Sequence, residues 1–460
     1  MGGNMLLSRD EATIIAQCTP KGSGALALLR LSGINTLDIA GKMSTLASGK
    51  KLIDVPTHTI QYGSVVDQKG TAIDQVLFLV MHGPKTFTGQ DTVEISCHNN
   101  PFIIEAITAA ALKSGARLAQ EGEFTKRAVL NKKMDLIQAE AINDLIHANN
   151  QQTLKQSLAQ LNGTLSAWIH QIEKQLIKAI ALSEASFEFI DEEDMAFGTQ
   201  IEKILAGIMD DIEKIKESFD QQNQIRNGIR IALIGSVNAG KSSLFNALLG
   251  KDRAIVTEQP GTTRDVIESG LYRNGTYLTM VDTAGLRQTE DKIEKEGIKR
   301  SEQEAQKADI ILLIIDGSRE NSKEEQAIYH ELHTTHRHKT IVIKNKADIA
   351  KDVDIVPDAI SASYKQPKSI ETINQAIERM INRLFTTIAS PLLLNQRQFN
   401  LLLQLEQKLI EIFPLLKGTI QYELLSYHLS DAVAHIAELT GKTISEESMN
   451  AVFREFCVGK

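Results

Sequence analysis

One stretch of the sequence has the residue types and spacing of a phosphate-binding loop. Gly235-Ser236-Val237-Asn238-Ala239-Gly240-Lys241-Ser242 follows an apolar run at 231–234 and precedes a helical pattern at 243–249. Strand, glycine-rich turn and helix in this order match the G-x-x-x-x-G-K-S spacing of a P-loop. Glycines let backbone N–H groups surround an anion, and the helix N-terminus adds favourable partial charge. We expect Lys241 to reach the β- and γ-phosphates of a nucleoside triphosphate and Ser242 to bind Mg²⁺. The remaining phosphate-loop candidates are Asn238, Ala239, Gly240 and Ser243.

A second motif predicts which base is bound. In Asn345-Lys346-Ala347-Asp348, the Asp348 carboxylate can accept hydrogen bonds from N1–H and the 2-amino group of guanine. Adenine lacks this pair of donors, and a site left with unpaired polar groups rejects it strongly. A backbone N–H in Ser361-Ala362-Ser363 is expected near the guanine O6. The sequence therefore predicts GTP as the nucleotide.

Two more motifs predict how the metal and the γ-phosphate are held. Asp282-Thr283-Ala284-Gly285 follows an apolar strand, which places Asp282 to hold Mg²⁺ through water and Gly285 near the γ-phosphate. Gly261-Thr262-Thr263-Arg264-Asp265 lies between the P-loop and that strand, and Thr263 is the candidate second Mg²⁺ ligand. All these motifs occur in the order and spacing of a G protein.

The residue after Gly285 differs from the one that Ras-type proteins use in hydrolysis. Leu286 stands where those proteins carry the glutamine that orients the attacking water, and leucine cannot orient water. Another polar group must take this role, and no arginine is an evident finger for the transition-state charge. Asn238 could instead bind a monovalent cation beside the phosphates. The candidates for orienting the water, all in the following loop, are Glu290, Asp291, Glu294 and Glu296.

Composition limits the class of protein. A chain of 460 residues is expected to form two to four domains. A net charge of −8 argues against binding nucleic acid through the overall field of the protein. The three cysteines Cys18, Cys97 and Cys457 are widely spaced, which favours free thiols in a reducing cytoplasm. We expect no membrane span, because no apolar run approaches about 20 residues. We expect no signal peptide, because residues 1–8 carry no basic n-region with an apolar core.

Hydrophobic patterning predicts four segments. Residues 1–120 indicate a mixed α/β domain, with buried strands at 25–31 and 72–81, and 121–222 are helical. Residues 223–383 alternate strands and helices, which predicts a mainly parallel doubly wound sheet, and 384–460 are helical again. We interpret the nucleotide-binding segment as an insertion into one helical domain. Two separate helical domains are the alternative that periodicity leaves open.

Taken with the nucleotide motifs, several segments resemble the MnmE (TrmE) family of tRNA-modification GTPases, along essentially the whole chain. The terminal segment is the most specific, because it matches the family's Cys-x-Gly-Lys signature at the last residue. The matching segments are Thr19-Pro20 with Gly24, Arg30-Leu31-Ser32-Gly33, Phe87-Thr88-Gly89-Gln90-Asp91-Thr92-Val93-Glu94-Ile95, Gly122-Glu123-Phe124-Thr125-Lys126-Arg127-Ala128, Asp135-Leu136-Ile137-Gln138-Ala139-Glu140-Ala141 and Phe456-Cys457-Val458-Gly459-Lys460.

The resemblance implies a multidomain α/β plus all-α protein. An N-terminal α/β tetrahydrofolate-binding domain would precede a helical domain, into which a Ras-like doubly wound P-loop GTPase domain is inserted. The one-carbon donor would be 5-formyl- or 5,10-methylene-tetrahydrofolate. Cations suit its glutamyl carboxylate, and a carboxylate such as Glu94 can accept from the pterin amino group. The implied folate-binding residues are Arg30, Glu94, Lys133 and Lys460.

The resemblance also implies a K⁺ site that takes the place of an arginine finger and promotes dimerisation of the nucleotide domains. Its ligands would be Asn238, Thr257, Thr262 and the backbone carbonyl of Gln259. Glu294 matches the family's water-positioning glutamate, which would decide among the four acidic candidates.

The function implied is that of a homodimeric, K⁺-stimulated cytoplasmic GTPase. It would act on tRNA with a flavoprotein of the MnmG/GidA type, in a heterotetramer or larger complex. The reaction would install an aminomethyl or carboxymethylaminomethyl group at C5 of wobble uridine 34. Cys457 is either a catalytic thiol near the folate or a thiol retained for packing. The rival classes are a ribosome-assembly GTPase and a folate-binding enzyme with a regulatory GTPase domain and no tRNA role.

Some positions depart from the family pattern. None of them removes a candidate phosphate, Mg²⁺ or K⁺ ligand, but they change the fine shape of the folate pocket. The departures are His98-Asn99-Asn100 in place of His-Gly-Gly, Val237 in place of a proline, Glu121 in place of the proline before Gly122, Gln398 in place of the histidine after Arg397, and Val458 in place of isoleucine.

Overall fold

The computed structural model describes residues 11–186, 197–226, 228–249, 267–273, 276–282, 302–349, 359–386, 392–418 and 420–460. The chain forms two compact units. The first comprises Met1–Ile146, Leu158–Met209 and Gln396–Lys460, and the second comprises His147–Ser157 and Asp210–Asn395. The chain therefore leaves the first unit and returns to it at Gln396.

Within the described residues, the first quarter of the chain is mostly strands with two helices, the third quarter mixes strands and helices, and helices make up most of the rest. None of the helices in the described ranges is long and apolar enough to cross a membrane. Residues 302–307 are also helical. The strands, β1 to β13, are Ile14–Gln17, Leu26–Ser32, Ser44–Leu46, Thr59–Val66, Ala72–Met81, Thr92–His98, Arg117–Leu118, Ile229–Ile234, Ile267–Arg273, Thr276–Asp282, Ile310–Asp316, Thr340–Asn345 and Ile360–Ser361. The helices, α1 to α13, are Thr36–Lys42, Pro101–Lys113, Glu123–Leu130, Leu136–Ile146, Gln151–Leu161, Thr164–Ala185, Phe197–Arg226, Lys241–Leu249, Lys323–Thr335, Pro367–Thr386, Gln396–Ile412, Tyr422–Leu439 and Glu446–Phe453.

The N-terminal part of the first unit is built on a seven-stranded sheet in the order β3-β4-β5-β6-β2-β1-β7. Its neighbouring strands are antiparallel except for the β1–β7 pair. One face packs into a core with α1 and α2, where Leu29, Phe78 and Ile95 are fully buried beside Ile39 and Ile107. The predicted mixed α/β architecture is confirmed.

The prediction that segments 25–31 and 72–81 are buried strands was wrong in one respect. Both segments are strands, but buried and accessible residues alternate along each of them. The cause is the antiparallel sheet, in which successive side chains point to opposite faces and only one face meets the helices. The other face remains open, and it carries residues of the candidate site.

The helical segments on both sides of the second unit pack together within the first unit. Leu136 and Ala139 of α4 share a core with Met449 and Phe453 of α13. The helix α6 packs on α12, and α12 packs on α11. One helical domain interrupted by an insertion therefore accounts for the structure, and the alternative of two separate helical domains does not.

A buried ion pair fastens the first helical segment to the second. The Glu140 carboxylate on α4 accepts from Arg397 Nε at 2.6 Å and from Arg397 NH2 at 2.8 Å. Gln398 Nε2 donates to the same carboxylate at 2.6 Å. A buried carboxylate is tolerated only when its oxygens are paired. Gln398, which departs from the family histidine, therefore supplies one of the donors that this carboxylate needs.

The second unit contains a six-stranded sheet in the order β13-β12-β11-β8-β10-β9. All neighbouring strands are parallel except β9 and β10. The central strand β11 is buried along its whole length, and separate apolar cores cover the two faces of the sheet. This is the predicted doubly wound arrangement, in which ligands bind beyond the carboxyl ends of the strands.

Candidate functional site

The predicted P-loop connects β8 to α8, which begins at Lys241. The loop is tight. A side chain at Gly235 would overlap the carbonyl oxygen of Ile314. Asn238 has φ of +65° and Gly240 has φ of +90°, a left-handed conformation that asparagine tolerates and glycine adopts freely. Ser242 and Ser243 are exposed in the first turn of α8.

The side chain of Lys241 lies back along this loop. Its Nζ donates to the carbonyl oxygens of Gly235 and Ser236, each at 2.7 Å, and the residue is buried. The ammonium group is therefore positioned by two backbone acceptors of the P-loop, at the N-terminus of a helix that favours anions.

The base-recognition motif touches the P-loop directly. Asn345 ends β12, is fully buried, and donates from Nδ2 to the carbonyl oxygen of Ala239 at 2.8 Å. A Cβ on Gly240 would overlap that same amide nitrogen. The structure therefore brings together the two motifs that the sequence assigned to the phosphates and to the guanine.

Backbone hydrogen bonds join the rest of the base-recognition loop to β13. Ala362 N donates to Lys344 O at 2.9 Å, and Ala347 N donates to Ala362 O at 3.0 Å. The Asp348 carboxylate accepts from Lys365 Nζ at 3.1 Å, and this bond, together with one from Ser363, lowers the pKa of Asp348. Asp348 is thus held in the ionised form that accepts hydrogen bonds. Ser361, the remaining base-site candidate, ends β13 and is exposed.

The other predicted residues of the GTP site fall mainly outside the described part of the chain. Asp282 ends β10, and its backbone lies opposite Leu233 of β8, the strand that leads into the P-loop. The candidates outside the described residues are Thr257, Gln259, Thr262, Thr263, Thr283, Ala284, Gly285, Leu286, Glu290, Asp291, Glu294 and Glu296.

A second cluster of predicted residues lies on the open face of the N-terminal sheet. Arg30 on β2 and Glu94 on β6 are directly opposite in the strand register. Arg30 Nε and NH2 both lie 2.8 Å from Glu94 Oε1. The guanidinium carbon is 5.7 Å from the centroid of the Phe87 ring and 5.4 Å from that of Phe124. The carboxylate and the two rings therefore fix the orientation of Arg30.

The C-terminal residues dock beside this pair. Val458 bridges to Glu121, and Phe124 N donates to Lys460 O at 3.2 Å. The carbonyl oxygen of Gly459 accepts from Arg30 NH1 at 3.5 Å and from the Cys18 thiol at 3.2 Å. Three of the four predicted folate residues, Arg30, Glu94 and Lys460, are thereby gathered at one place.

Lys133, the fourth predicted folate residue, contacts the loop between β5 and β6 rather than the Arg30–Glu94 pair. Its Nζ donates to Pro84 O at 2.9 Å. Asn131 Nδ2 fastens the same loop by donating to Thr88 O at 2.7 Å. This loop carries Phe87, so Lys133 and Arg30 both contact one short segment.

The buried charges that hold this loop to α3 were not predicted from the sequence. Arg127 donates from Nε and NH2 to Glu123 Oε1 and from NH1 to Gln90 Oε1 at 3.0 Å. Burial opposes ionisation of Glu123, but hydrogen bonds from Arg117, Gln120 and Arg127 outweigh it and lower its pKa. Glu123 and Arg127 entered the prediction only as part of a family segment, and nothing in their spacing indicates that Arg127 reaches Gln90.

The thiol that hydrogen-bonds to the docked terminal residues is not the one that the sequence singled out. Cys18 is half-buried, and burial raises its pKa although the Arg30 charge acts in the opposite direction. Cys97 is buried in the sheet, which raises its pKa to about 11. Cys457 is exposed. Cys18 is therefore the thiol that contacts the docked terminal residues, and it adjoins the Thr19-Pro20 segment.

Two family models match the chain. The model described as the MnmE helical domain matches residues 136–457. The model described as the GTP-binding protein TrmE N-terminus matches residues 13–133. These two ranges together contain the Arg30–Glu94 pair, the P-loop and the base-recognition motif.

Curated relatives match along nearly their whole length. Similar proteins named tRNA modification GTPase MnmE include one from Protochlamydia amoebophila, 37% identical over 454 residues, with 97% of each chain covered. One from Chlorobium phaeobacteroides is 35% identical over 462 residues, with 97% of each chain covered. One from Acetivibrio thermocellus is 35% identical over 461 residues, covering 98% of this chain and 99% of the relative. The two family models and this full-length similarity show that the chain belongs to the MnmE (TrmE) family of tRNA modification GTPases.

Proposed function

We propose that this GTP hydrolase of tRNA modification is a K⁺-stimulated homodimer. Its proposed reaction modifies C5 of wobble uridine 34 with a one-carbon unit from tetrahydrofolate. The proposed partner in this reaction is a flavoprotein of the MnmG/GidA type. Membership of the family establishes the coarser activity, and it decides against the alternative of a ribosome-assembly GTPase. The observation that carries the finer proposal is the docking of the terminal residues onto the Arg30–Glu94 pair.

In the GTP site, each residue has a role that follows from its chemistry. Lys241 neutralises the β- and γ-phosphates, and Ser242, exposed at the start of α8, offers its hydroxyl to Mg²⁺. Thr263 is proposed as the second Mg²⁺ ligand, with Asp282 binding through water. Asn345 and Asp348 hold the guanine, and Glu294 orients the attacking water in place of the Ras-type glutamine.

A monovalent cation is proposed at the outer edge of the P-loop. Asn238 is exposed there, and its backbone has the left-handed conformation, with φ of +65°. An amide oxygen is a suitable ligand for K⁺, and a cation at this place would neutralise developing charge as an arginine finger does. The other proposed ligands are Thr257, the backbone carbonyl of Gln259, and Thr262.

The residues around Arg30 fit a reduced folate. Both bonds that Arg30 donates to Glu94 go to Oε1, and within the described residues no hydrogen bond reaches Oε2. Oε2 can therefore accept from a pterin N–H, while Arg30 orients the carboxylate. Lys133 and Lys460 supply the cations for the glutamyl carboxylate. When bound, 5-formyl- or 5,10-methylene-tetrahydrofolate supplies the one-carbon unit.

A second copy of the chain is the proposed cover for the open sheet face. Leu26, Ile60 and Tyr62 are large apolar side chains with exposed fractions of 61%, 62% and 54%. Ile60 lies in the same cross-strand row as Glu94 and Arg30, so the apolar surface is continuous with the folate cluster. Exposed apolar surface of this kind marks protein interfaces, and self-association is the commonest arrangement.

The acidic balance of the chain supports a division of labour with the flavoprotein. A protein of net charge −8 attracts tRNA poorly by its overall field, so the partner is proposed to supply most of the phosphate contacts. GTP hydrolysis would then change the conformation of the complex rather than enter a bond in the product.

The test is folate-dependent modification of wobble uridine in the presence of the flavoprotein, followed by nucleoside analysis of the tRNA. We expect C5-modified uridine 34 with wild-type protein, GTP, K⁺ and the folate donor, and none without the donor. The Glu294→Ala variant is the control, because it should bind GTP without hydrolysing it and should yield no product. Intact GTPase activity with no modified uridine would overturn the proposal in favour of a folate-binding protein without a tRNA role.

A further inference from the structure

A short segment after β11 lies between the P-loop and the base-recognition loop, outside every motif that the sequence singled out. It begins with Asp316, which is buried at the carboxyl end of the strand. Asp316 Oδ2 accepts from Lys346 Nζ at 2.6 Å, and Ser318 donates to Oδ1 from both its N–H and its hydroxyl. The carboxylate is fixed by these bonds and holds the lysine of the base-recognition motif.

Arg319 follows in the same segment and is anchored on a rigid carboxylate. Its NH1 and NH2 donate to Glu325 Oε2 at 2.8 Å and Oε1 at 2.6 Å. Glu325 is the third residue of α9 and forms a capping box with Ser322, in which Ser322 N donates to Oε2 and Glu325 N donates to Ser322 Oγ. A bidentate pair on a capped helix end fixes both the position and the plane of the guanidinium group.

The anchored guanidinium meets the second residue of the P-loop. Arg319 NH2 lies 3.4 Å from Ser236 Oγ, and Ser236 N donates at 3.2 Å to the hydroxyl oxygen of Tyr329, a buried residue of α9. Ser236 is therefore held by its side chain and by its backbone. Its carbonyl oxygen is one of the two acceptors that position Lys241. A displacement of Ser236 would displace the acceptor of the phosphate-binding lysine.

We propose that Arg319 is a positioning residue of the GTP site, which fixes Ser236 and thereby the P-loop carbonyl that orients Lys241. It contacts no nucleotide itself. Its Nε lies 3.8 Å from Asp316 Oδ2, the atom that binds Lys346, so the same segment supports the phosphate and guanine ends of the site. The competing explanation is a surface ion pair with Glu325 that contributes only to stability.

The experiment uses the full chain and measures binding of a fluorescent GTP analogue, steady-state GTP hydrolysis and thermal unfolding. The variants are Arg319→Gln, Ser236→Ala and the double variant, with Glu320→Gln as the matched control because Glu320 is an exposed charge of the same segment. We expect Arg319→Gln and Ser236→Ala each to weaken GTP binding about five- to tenfold. KM should rise while kcat stays within about twofold, since Lys241 contacts the phosphates in both ground and transition states.

The double variant distinguishes the two explanations. If Arg319 acts through Ser236, the double variant should bind GTP no more weakly than Arg319→Gln alone. Arg319→Lys should not restore binding, because the single nitrogen of the shorter lysine side chain cannot reproduce the bidentate bond to Glu325 together with the contact to Ser236. The proposal is overturned if Arg319→Gln binds GTP as wild type does, if the two losses multiply, or if Arg319→Lys restores affinity. Should Arg319→Gln fail to fold, Ser236→Ala leaves the Arg319–Glu325 pair intact and decides the question, since wild-type affinity in it overturns the proposal.

Discussion

The side-chain amide of Asn345 donates a hydrogen bond to the carbonyl oxygen of Ala239 at 2.8 Å. This bond joins the end of β12 to the P-loop inside a fully buried environment, where a hydrogen bond is poorly replaced by water. The motif that recognises the base and the motif that binds the phosphates are thus joined by a direct hydrogen bond. A substitution that separates them should affect nucleotide binding even when it touches neither ligand group.

The first prediction concerns Gly240, whose missing side chain makes that bond possible. In Gly240→Ala the new Cβ would overlap Asn345 Nδ2, and φ of +90° would also be strained. We expect GTP affinity to fall about 100-fold or more, from the combined cost of strain and a lost buried hydrogen bond, roughly 3 kcal/mol. Isothermal titration with GDP and GTP would measure it.

Gly207→Ala is the matched control, because Gly207 is an exposed residue within α7 and no atom lies within 4 Å of the position that a Cβ would take there. Alanine should raise stability there by about 0.5–1 kcal/mol and leave nucleotide binding unchanged. Wild-type GTP affinity in Gly240→Ala would show that the close approach of Asn345 is dispensable.

Sequence spacing was sufficient to predict the phosphate and base motifs because both are local. The P-loop is one continuous turn, and Asn345 follows one apolar strand, so strand ends and glycines specify them. Arg319 was not predictable in this way. It lies in no motif, and its contact with Ser236 spans 83 positions of the sequence. Only the order of strands in the sheet, which places β11 beside β8, brings the two together.

The second prediction tests the proposed cation at Asn238. Asn238→Ala should abolish the difference between GTPase rates measured in K⁺ and in Na⁺ buffers, because the amide oxygen that distinguishes the ions is gone. A K⁺ response that persists in Asn238→Ala would place the cation elsewhere.

The third prediction concerns the carboxylate on the open sheet face. Glu94→Gln preserves the shape of the side chain but removes the charge that pairs with Arg30 and accepts from the pterin. We expect affinity for 5-formyl-tetrahydrofolate to fall about tenfold or more, since hydrogen bonds to charged groups contribute about 1.5–3 kcal/mol. GTP hydrolysis should be unaffected.

Glu105→Gln provides the comparison for this variant, because Glu105 is an exposed carboxylate on α2, in the same domain. Folate binding should be the same in Glu105→Gln and in wild type. Equal losses of folate affinity in both variants would mean that Glu94 acts through the net charge of the domain and not through a contact with the folate.

The fourth prediction concerns the glycine that lets the terminal residues dock. Gly459 has φ of +97°, and a Cβ there would lie 2.6 Å from Gln17 O. Gly459→Ala should therefore displace the terminal residues and break the bond from the Cys18 thiol. We expect weaker folate binding and faster alkylation of Cys18, read by mass spectrometry, while buried Cys97 stays unreactive.

The control separates backbone strain from overlap. Gly418 has φ of +74° and nothing within 4 Å of the position that a Cβ would take, so Gly418→Ala carries a similar strain without the clash. Its cost should be about 1–2 kcal/mol and confined to stability. If Cys18 is alkylated no faster in the Gly459→Ala variant than in the Gly418→Ala variant, the docked terminal residues do not protect the Cys18 thiol.

This part of the site shows what a sequence cannot specify without a known family. Arg30 and Glu94 are single charges on separate strands, and either one alone resembles a surface residue. Their pairing follows from the register of β2 with β6. The contact of Cys18 with Gly459 spans 441 positions, so no local pattern indicates it. The exposed face of the sheet was also missed, because the nearly continuous apolar runs at 25–31 and 72–81 predict burial on both faces.

The fifth prediction concerns how the stabilisation contributed by the Arg319–Glu325 pair depends on pH. Hydrogen bonding to Arg319 is the main reason that the pKa of Glu325 falls from 4.5 to about 2. Because the folded pKa is depressed, the pair stabilises the folded state above about pH 4.5, and this contribution is lost as the pH falls towards 2. Allowing for solvent screening of the partly exposed Arg319, we expect Glu325→Gln to cost about 1–3 kcal/mol at pH 7.

The measurement follows the unfolding transition of the second unit, identified by its upward shift when GDP is added. The deficit of Glu325→Gln relative to wild type should shrink steadily between pH 5 and pH 3, since the unfolded wild-type chain takes up a proton at Glu325 over this range while the folded chain keeps the carboxylate ionised. Glu324→Gln, on the neighbouring exposed acid of the same helical turn, is the matched control and should show a smaller deficit at pH 7 than Glu325→Gln does. A Glu325→Gln deficit that is equal at pH 7 and pH 3 would mean that the carboxylate is not held by Arg319 in solution, and the positioning role of Arg319 would lose its anchor.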